Sequence, residues 1–495
     1  MTATRVIAID LGASSGRVVG VRFEDGEAWI DGVHRFPNAP VAREVGGDRR
    51  WCWDIEAIHR GIEAGLAEVA SGGGVASIAV DSWAVDYGLV DDHGDLVAPV
   101  TAYRDERHRP AFERLRTELG DAAIYGRTGI QFQPFNTLYQ LASDAADPTR
   151  PLERASRMLM IPDLVANRLC GSMIGEWTNA GSTQCFDADR GAWIGDLLDA
   201  AGVPIRIMPE VVAGESASPL GTLDPELAGR VGLDPTTPVR ATASHDTAAA
   251  VAAAPLSHPG DVFISSGTWS LVGMELDRPV RTDAAMAANL TNEPGIFGTT
   301  RFLRNVSGLW LLQECRRAWA EAGRDRDWAT MAAMAAGAPA FRTVIDPDDP
   351  ALASPGDMPA RLAEAARQRG EPVPETDAAM VRAILDSVAL ATARAVDLVG
   401  RLSGITPTRL VVVGGGAAND LLNGLISAAT GLPVAVGPTE ATALGNAVVQ
   451  RAAALGITDR QTLRALLPNA IEAAIPEDHP EVTRQAPEAA ARLSH

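Results

Sequence analysis

Residues 6–23 read VIAIDLGASSGRVVGVRF. Val6–Ile9 is an uninterrupted apolar run ending at Asp10, and this pattern predicts a buried strand. The small residues Gly12–Gly16 predict a tight loop, and the alternation of apolar and polar residues over Arg17–Phe23 predicts a second strand. The chain therefore begins as a strand, a glycine-rich turn and an antiparallel strand.

The same strand–turn–strand pattern returns near the middle of the chain. After a break at Pro255, Asp261–Ser265 predicts a strand, Ser266-Gly267-Thr268 a turn and Trp269–Glu275 a second strand. Two similar halves joined near residue 255 predict an α/β protein with a cleft between them. The same patterns predict further strands at Ala28–His34, Ser77–Val80, Leu410–Val413 and Pro433–Val436, and helices at Ile55–Val69, Val381–Leu402, Leu421–Ala429 and Ala443–Leu455.

Composition excludes several classes of protein. The chain has 495 residues and a net charge of −20, and such an acidic surface argues against nucleic acid as a partner. No lysine occurs, since all 43 basic residues are arginine. The absence of lysine excludes a Walker A loop, the strand lysine of protein kinases, and Schiff-base chemistry.

The four cysteines are isolated in sequence, at Cys52, Cys170, Cys185 and Cys315. Without a C-x-x-C pair, zinc and redox motifs are not expected, and scattered cysteines suit a reducing cytoplasm. No secretory signal pattern and no run of 18 apolar residues is found, so we expect a cytoplasmic protein with no membrane partner.

The loop at Gly12–Gly16 has three interpretations. Glycines and small hydroxyl residues after a strand let backbone N–H groups face a phosphate, with Asp10 placed to hold Mg²⁺. The loop also fits an ordinary hairpin turn. Its G-x-S-x-G spacing, with Ser14 as nucleophile, matches a serine hydrolase elbow, but an elbow requires a following helix and the sequence predicts a strand.

Two further motifs carry polar or bare backbone groups next to predicted helices. Gly414-Gly415-Gly416-Ala417-Ala418-Asn419 follows a strand and is predicted to open a helix, where backbone N–H groups suit a phosphate or adenosine, although the motif also fits a tight turn. Asp246, in Ser244-His245-Asp246-Thr247, is either a helix N-cap or a general base, with His245 and Thr247 placed to bind a polyol.

The motifs together resemble the FGGY family of carbohydrate kinases from Val6 to about Leu455. The resemblance rests on five stretches in the same order along the chain: Asp10–Arg17, Gly129–Gln140, Ala243–Thr247, Ser265–Ser270 and Gly308–Gln313. It implies two actin-like, ribonuclease H-like ATPase domains that face each other across a catalytic cleft. The corresponding boundaries here are 1–254 for the sugar-binding and phosphate-loop domain, 255–465 for the nucleotide-binding domain and 466–495 for a C-terminal tail, which is expected to fray from about Pro476.

Within that family the motifs are most similar to those of kinases acting on L-rhamnulose. The resemblance implies ATP-dependent phosphorylation of its 1-hydroxyl in L-rhamnose catabolism, with Mg²⁺ and with Asp246 as the base. The implied ATP-binding residues are Ala13, Ser14, Ser15, Gly16, Arg17, Thr268, Gln313 and Gly415. The implied sugar-binding residues are Ala84, His245, Thr247 and Asn305.

One position departs from the family pattern. Ala84 stands where glycine is usual in the Trp83–Asp86 motif, so the sugar preference is open to change. L-Fuculose, xylulose or another polyol on the same fold therefore stays an alternative substrate, and a non-catalytic actin-like ATPase is a different alternative. We expect a monomer or a small homo-oligomer.

Overall fold

A computed structural model describes residues 4–215, 219–467 and 480–493. The described residues form two compact units, each made of three separate stretches of the chain. The first unit lies within Met1–Ala253, Glu275–Arg301 and Ala441–Asn469, and the second within Ala254–Met274, Phe302–Glu440 and Ala470–His495. The domain boundaries expected from the sequence stay a prediction.

The first unit is built on a six-stranded mixed sheet. Val6, Ile7, Ala8 and Ile9 are each at most 1% exposed, which explains why the first strand is apolar on both faces. This strand pairs antiparallel with the second strand and parallel with Ser77–Ser82. The strands in spatial order are Pro219–Thr222, Pro238–Arg240, Ser77–Ser82, Thr4–Leu11, Ser15–Glu24 and Glu27–Pro37.

Shorter strands and helices surround this sheet. Asp54 caps the first helix by accepting a hydrogen bond from the backbone N of Ala57 (3.1 Å). The paired short strands are Pro40–Val45 with Asp48–Trp53, Tyr87–Val90 with Arg157–Met160, Gly175–Glu176 with Val211–Val212, and Phe186–Asp187 with Ala192–Trp193; Thr291–Pro294 is also extended. The helices are Ile55–Ala70, Arg109–Leu119, Asp121–Thr128, Thr137–Ala145, Pro151–Arg154, Ile161–Cys170, Trp177–Ala180, Gly195–Ala201, Pro225–Val231, Asp246–Ala253, Asp283–Ala287, Ala441–Leu455 and Arg460–Arg464. Short 3₁₀ turns are Glu106–His108, Ile205–Ile207 and Ile296–Gly298.

The second unit repeats the mixed-sheet plan. Its five strands, in spatial order, are Thr300–Ser307, Trp269–Leu276, Asp261–Ser266, Arg409–Val413 and Val434–Val436. Its helices are Trp310–Glu321, Trp328–Ala336, Met358–Gln368, Asp377–Ser403, Asp420–Thr430 and Pro480–Leu493, with 3₁₀ turns at Pro350–Leu352 and Gly415–Ala418. The repeated strand–turn–strand pattern predicted from the sequence is confirmed.

The expectation of a fraying C-terminal tail is wrong for its described part. Pro480–Leu493 is a helix that packs against Asp377–Ser403 and Asp420–Thr430. Near its end, Arg492 forms an ion pair with Glu371 (2.5 Å). Val482, Ala486, Ala489 and Leu493 are buried, so an apolar face holds the helix in place. Residues 468–479 and 494–495 of the expected tail lie outside the described residues.

Candidate active site

Two buried carboxyl groups lie side by side where neighbouring strands of the first sheet end. Asp10 is opposite Asp81 in the parallel pairing, and the two residues are 2% and 0% exposed. Burial and the charge of Asp10 raise the pKa of Asp81 well above its usual value. Asn446 donates a hydrogen bond to Asp81 Oδ2 (2.6 Å). This end of the sheet therefore offers two neighbouring carboxyl groups whose oxygens could serve as ligands.

The glycine-rich turn directly follows Asp10. The backbone N of Gly12 donates to the carbonyl of Ser15 (2.9 Å), which closes the turn. A Cβ at Gly16 would lie 2.3 Å from the Phe36 ring, so the packing admits only glycine there. Ser14 is exposed at the tip of the turn, where its backbone is accessible to a ligand.

The strand after the turn decides between the interpretations of this loop. Ser15–Glu24 is a strand, so Ser14 does not open a helix and the hydrolase elbow is wrong. Pairing places Arg17 opposite Asp10, with Arg17 Nε 3.3 Å from Asp10 Oδ2. A cation therefore stands beside the carboxyl that the sequence indicated as a metal ligand.

Asp246 is the first residue of the helix Asp246–Ala253. Its Oδ1 accepts hydrogen bonds from the backbone N (2.6 Å) and the hydroxyl (3.3 Å) of Thr247, and His245 Nε2 lies 3.4 Å from the same oxygen. Burial first, and then the negative charge of Asp10, raises the pKa of Asp246 to about 7. A carboxyl with this pKa can exchange protons near neutral pH.

A buried glutamate holds the segment before Asp246. Glu176 Oε2 accepts from the backbone N (3.0 Å) and hydroxyl (2.7 Å) of Ser244, while the His245 backbone N donates to Thr178 Oγ1 (3.1 Å). The Ser82 backbone N donates to the Ser244 carbonyl (2.8 Å). These contacts fix the segment Ser244–Asp246 to the end of the strand Ser77–Ser82. Glu176 could not be predicted from the sequence, because nothing local distinguishes it from a surface carboxylate.

The Trp83–Asp86 motif forms a second polar cluster in the first unit. Asp86 is fully buried and accepts hydrogen bonds from Trp53 Nε1 (2.6 Å), Trp83 Nε1 (3.0 Å) and Gln140 Nε2 (2.9 Å). Burial raises the pKa of Asp86 to about 6, against the opposing effect of these donors. Ala84 remains half-buried, next to Val85.

Backbone strain accompanies this motif. Val85 has a φ of 70°, which is unfavourable for a β-branched residue, and its carbonyl accepts from Thr137 Oγ1 (2.8 Å) and Gln140 Nε2 (3.2 Å). These contacts fix the backbone at Ala84, which the sequence indicated as a sugar contact. Gln140 ends a stretch that carried the family resemblance, but Trp53, which donates to the same Asp86 carboxylate, was missed.

A polar helix face supports the carboxylate end of the first sheet. Gln450 Nε2 donates to the Ile7 carbonyl (3.0 Å) and to Asn446 Oδ1 (2.7 Å), and Ser77 Oγ donates to Gln450 Oε1 (2.6 Å). Asn446 connects Gln450 to Asp81, because it accepts from Gln450 and donates to Asp81. The side chains of Asn446 and Gln450 are both buried and lie four residues apart on one face of the helix. This spacing is the signal in the sequence that could have indicated the pair.

The second unit holds the remaining residues indicated as nucleotide ligands. Thr268 Oγ1 donates to Gln313 Oε1 (3.2 Å), and the Trp310 backbone N donates to the Thr268 carbonyl (3.1 Å). A Cβ at Gly308 would lie 2.8 Å from the Gly267 carbonyl, so this turn and the start of the next helix approach closely. The structure thus brings Thr268 and Gln313 together.

The triple-glycine motif lies in the same unit, between a strand and a helix. Gly415–Ala418 is a 3₁₀ turn, and the helix begins only at Asp420 with Asn419 as its N-cap. The stretch Gly414–Asn419 therefore leads from a strand into a helix as predicted, with the glycines in the 3₁₀ turn before it and the Asn419 side chain accepting from Leu422 N (3.0 Å). A Cβ at Gly415 would meet no atom within 4 Å, so its backbone stays open to a ligand.

Asn305, indicated as a sugar ligand, is half-buried in the strand Thr300–Ser307 of the second unit. Its neighbour Arg304 lies 3.8 Å from Asp348, whose Oδ1 accepts from the Ser307 backbone N (2.7 Å). The other three residues indicated as sugar ligands, Ala84, His245 and Thr247, belong to the first unit.

The carboxylate end of the first sheet could supply only some of the ligands of a Mg²⁺ ion, and phosphate and water would supply the others. Within 4–215, 219–467 and 480–493, no group of three or more His, Cys, Asp or Glu side chains is arranged to hold a metal. Asp10 and Asp81 supply neighbouring carboxyl oxygens, and Mg²⁺ commonly uses one or two carboxylates and completes its shell with substrate phosphates and water.

Two family models divide the chain between them. The model of the N-terminal domain of the FGGY family of carbohydrate kinases matches residues 5–252, and that of the C-terminal domain matches residues 262–454. The chain belongs to the FGGY family of carbohydrate kinases. Its family confirms the two-domain α/β fold and the enzyme class expected from the motifs, and it makes ATP the co-substrate and a sugar the acceptor.

Similar proteins cover nearly the whole of this FGGY kinase. Rhamnulokinase of Pectobacterium atrosepticum is 39% identical over 477 residues, covering 94% of this chain and 92% of the relative. Rhamnulokinase of Bacteroides thetaiotaomicron is 39% identical over 466 residues, covering 94% of both chains.

Solved structures share the fold of this FGGY kinase at low identity. Xylulose kinase of Lactobacillus acidophilus superposes with a TM-score of 0.78 at 16% identity, covering 99% of this chain and 97% of that one. Glycerol kinase of Plasmodium falciparum with ADP gives 0.75 at 14% identity, with the same coverage. No helix in the described part of the chain is long and apolar enough to span a membrane.

Proposed function

We propose that this protein transfers the γ-phosphoryl group of ATP to the 1-hydroxyl of L-rhamnulose, giving L-rhamnulose 1-phosphate and ADP in L-rhamnose catabolism. The observation that carries the choice of sugar is the 39% identity to rhamnulokinases over 94% of the chain. The solved xylulose kinase structures are more distant in sequence, at 16% to 21% identity, and support only the fold.

Asp246 is the proposed base. As the C1 oxygen of the sugar forms its bond to the γ-phosphorus, the bridging P–O bond to ADP breaks and the hydroxyl proton passes to the Asp246 carboxylate. Phosphoryl transfer has a loose transition state, so orientation of the hydroxyl matters as much as removal of its proton. The three contacts to Asp246 Oδ1 favour a single orientation of this carboxylate.

The nucleotide is proposed to contact backbone groups and arginine instead of lysine. Mg²⁺ bound beside Asp10 would neutralise phosphate charge during transfer. The exposed turn after Asp10 supports contact with the phosphates, and the open backbone of Gly415 supports contact with the nucleotide. The proposed nucleotide ligands are Ala13, Ser14, Ser15, Gly16, Arg17, Thr268, Gln313 and Gly415, and the proposed sugar ligands are Ala84, His245, Thr247 and Asn305.

Domain boundaries, cellular location and oligomeric state complete the proposal. Domains at 1–254 and 255–465 are supported by the family matches, which end at 252 and begin at 262. A cytoplasmic location is supported by the four cysteines, all of which are free thiols. A monomer or small homo-oligomer remains the proposed state.

A sugar panel tests the proposed substrate. ADP release is measured with MgATP and L-rhamnulose, L-fuculose, D-xylulose, L-xylulose or glycerol, and kcat/KM is expected to be highest for L-rhamnulose. The variant Ala84→Gly tests the departure from the family pattern and is expected to keep this order of preference. A higher kcat/KM for xylulose or fuculose would assign the protein to another ketose, and ADP release that no sugar stimulates would remove the kinase assignment.

A further inference from the structure

A completely buried arginine lies behind His245 in the first unit. Arg301 is 0% exposed, and its Nη2 is 2.8 Å from His245 Nδ1. Its Nη1 lies 3.1 Å from Glu293 Oε2, and its Nε donates to the Pro294 carbonyl (3.1 Å). Burying a guanidinium is costly unless it is paired, and here Glu293 supplies the opposite charge while His245 and Pro294 accept hydrogen bonds. An apolar side chain would fill the same space without this cost, which suggests a role for the charge.

The chemistry of arginine determines the protonation of the histidine ring. A guanidinium only donates hydrogen bonds, so His245 Nδ1 must accept from Arg301 and cannot carry a hydrogen. The ring proton is then on Nε2, because the proton position is set by the hydrogen bond made at the other nitrogen. Burial and the positive charge of Arg301 lower the pKa of His245 well below its usual value, which keeps the ring neutral.

The protonated nitrogen faces the proposed base. His245 Nε2 lies 3.4 Å from Asp246 Oδ1, the oxygen that also accepts both hydrogen bonds from Thr247. Each contact described for the Asp246 carboxylate thus involves Oδ1. No contact of the other oxygen, Oδ2, is described within residues 4–215, 219–467 and 480–493, which makes it the oxygen proposed to meet the sugar hydroxyl.

We propose that Arg301 and Glu293 are positioning residues that hold His245 as its neutral Nε2–H tautomer, so that Asp246 presents Oδ2 to the acceptor hydroxyl. Glu293 supplies the counter-charge and orients the guanidinium, while Arg301 directs the ring. Glu293 Oε2 is also 3.5 Å from His245 Nδ1, so loss of Arg301 leaves an acceptor facing that nitrogen. This inference rests on the role proposed for Asp246.

The wild-type tautomer is the first test and requires no substitution. Two-dimensional ¹H–¹⁵N spectra of protein labelled at its eight histidines distinguish Nε2–H, Nδ1–H and imidazolium rings. The signal missing in His245→Gln assigns the residue. His245 is expected to be an Nε2–H ring throughout pH 6–8, and an Nδ1–H or charged ring would overturn the proposal whatever the variants show.

Arg301→Met then removes the donor. With only Glu293 beside it, His245 Nδ1 is expected to gain a hydrogen, as Nδ1–H or imidazolium, and kcat is expected to fall by about 10- to 100-fold with little change in KM for ATP. The double variant Arg301→Met/Glu293→Gln places an amide donor near Nδ1. We expect it to restore the Nε2–H signal and about tenfold of the lost kcat. A changed kcat without a changed tautomer would contradict the positioning role.

Arg50→Met is the matched control. Arg50 is also buried and is paired with Asp147 (2.6 Å) in the same unit, but it makes no described contact with the His245 segment. The Arg50→Met variant is expected to be less stable but to keep the wild-type His245 signal and kcat. A shifted His245 signal in this variant would mean that the loss of any buried ion pair changes the tautomer, which would contradict the specific role of Arg301. The tautomer is read without substrate, so a different sugar preference would refute the proposed function and leave this inference intact.

Discussion

The reactivity of the carboxyl groups in the first unit depends on their neighbours. Asp246 and Asp86 have pKa values raised to about 7 and about 6. Among the described residues, the hydrogen bonds to Asp246 come from the adjacent Thr247, whereas Asp86 accepts from two tryptophans, Gln140 and the backbone N of Tyr103. The many donors around Asp86 favour a structural role, and the surroundings of Asp246 support its proposed role as the base.

Replacing Asp246 by asparagine tests this difference. Asp246→Asn keeps the shape but cannot accept the hydroxyl proton, so kcat is expected to fall by about 10²–10⁴-fold or more. ATP binding, measured by calorimetry, is expected to survive because Asp246 is not among the proposed nucleotide ligands. Near-normal turnover in this variant would remove Asp246 from the role of base.

The raised pKa of Asp246 predicts an acid limb in the pH–rate profile. Below a pKa of about 7 the carboxyl holds its proton and cannot act as a base, so kcat/KM for the sugar is expected to fall about tenfold for each pH unit below that value and to level off above it. Initial rates from pH 5 to 9 at low ATP measure this limb. A profile that is flat between pH 5 and 7 would contradict the environment described for Asp246.

At the scale of elements, the position of Asp246 depends on close packing of two helices. Asp246 begins the helix Asp246–Ala253, which packs against the helix Ala441–Leu455. A Cβ at Gly445 would lie 1.8 Å from the Ala249 carbonyl oxygen, a distance that no side chain can tolerate. This glycine thus allows the helix that carries the base to lie against the helix that carries Asn446.

Gly445→Ala is expected to separate these helices. The free energy of unfolding should fall by about 1–3 kcal/mol, with a lower kcat because Asp246 moves with its helix. Urea unfolding and initial rates measure both effects. Gly229→Ala, in the helix Pro225–Val231, is the control. A Cβ at Gly229 meets no atom within 4 Å, so this variant should raise the free energy of unfolding by about 0.5–1 kcal/mol. Equal stability of the two variants would contradict the packing argument.

For the whole molecule, the problem is binding a polyanion to a protein with a net charge of −20 and no lysine. Phosphate recognition must then come from backbone N–H groups, arginine and a metal ion, with Arg17 beside the glycine-rich turn as the nearest candidate. This combination differs from a Walker A site, in which lysine contacts the phosphates directly.

Group-specific reagents test how the whole chain provides positive charge. An amine-directed acetylating reagent has only the α-amino group to modify and is expected to change kcat by less than about twofold. Phenylglyoxal, which modifies arginine, is expected to inactivate the protein, with MgATP slowing the loss. Inactivation by the amine reagent, or phenylglyoxal inactivation that MgATP does not slow, would contradict arginine-based recognition.

Much of this protein follows from local patterns. The apolar run before Asp10, the turn at Gly12–Gly16 and the following alternation determined two strands and their connection, because strand periodicity and glycine conformation are local properties. The same reasoning located the repeat at residue 261, and the order of the short motifs identified the family.

Only the tertiary structure decided the chemical environment of these groups. Asn446 contacts Asp81 across 365 positions of sequence, and Arg301 contacts His245 across 56. Burial, charge and hydrogen bonding act through space, so the pKa of Asp246 and the tautomer of His245 depend on side chains that folding brings together. Local sequence determined which groups are present, and packing determined their protonation and direction.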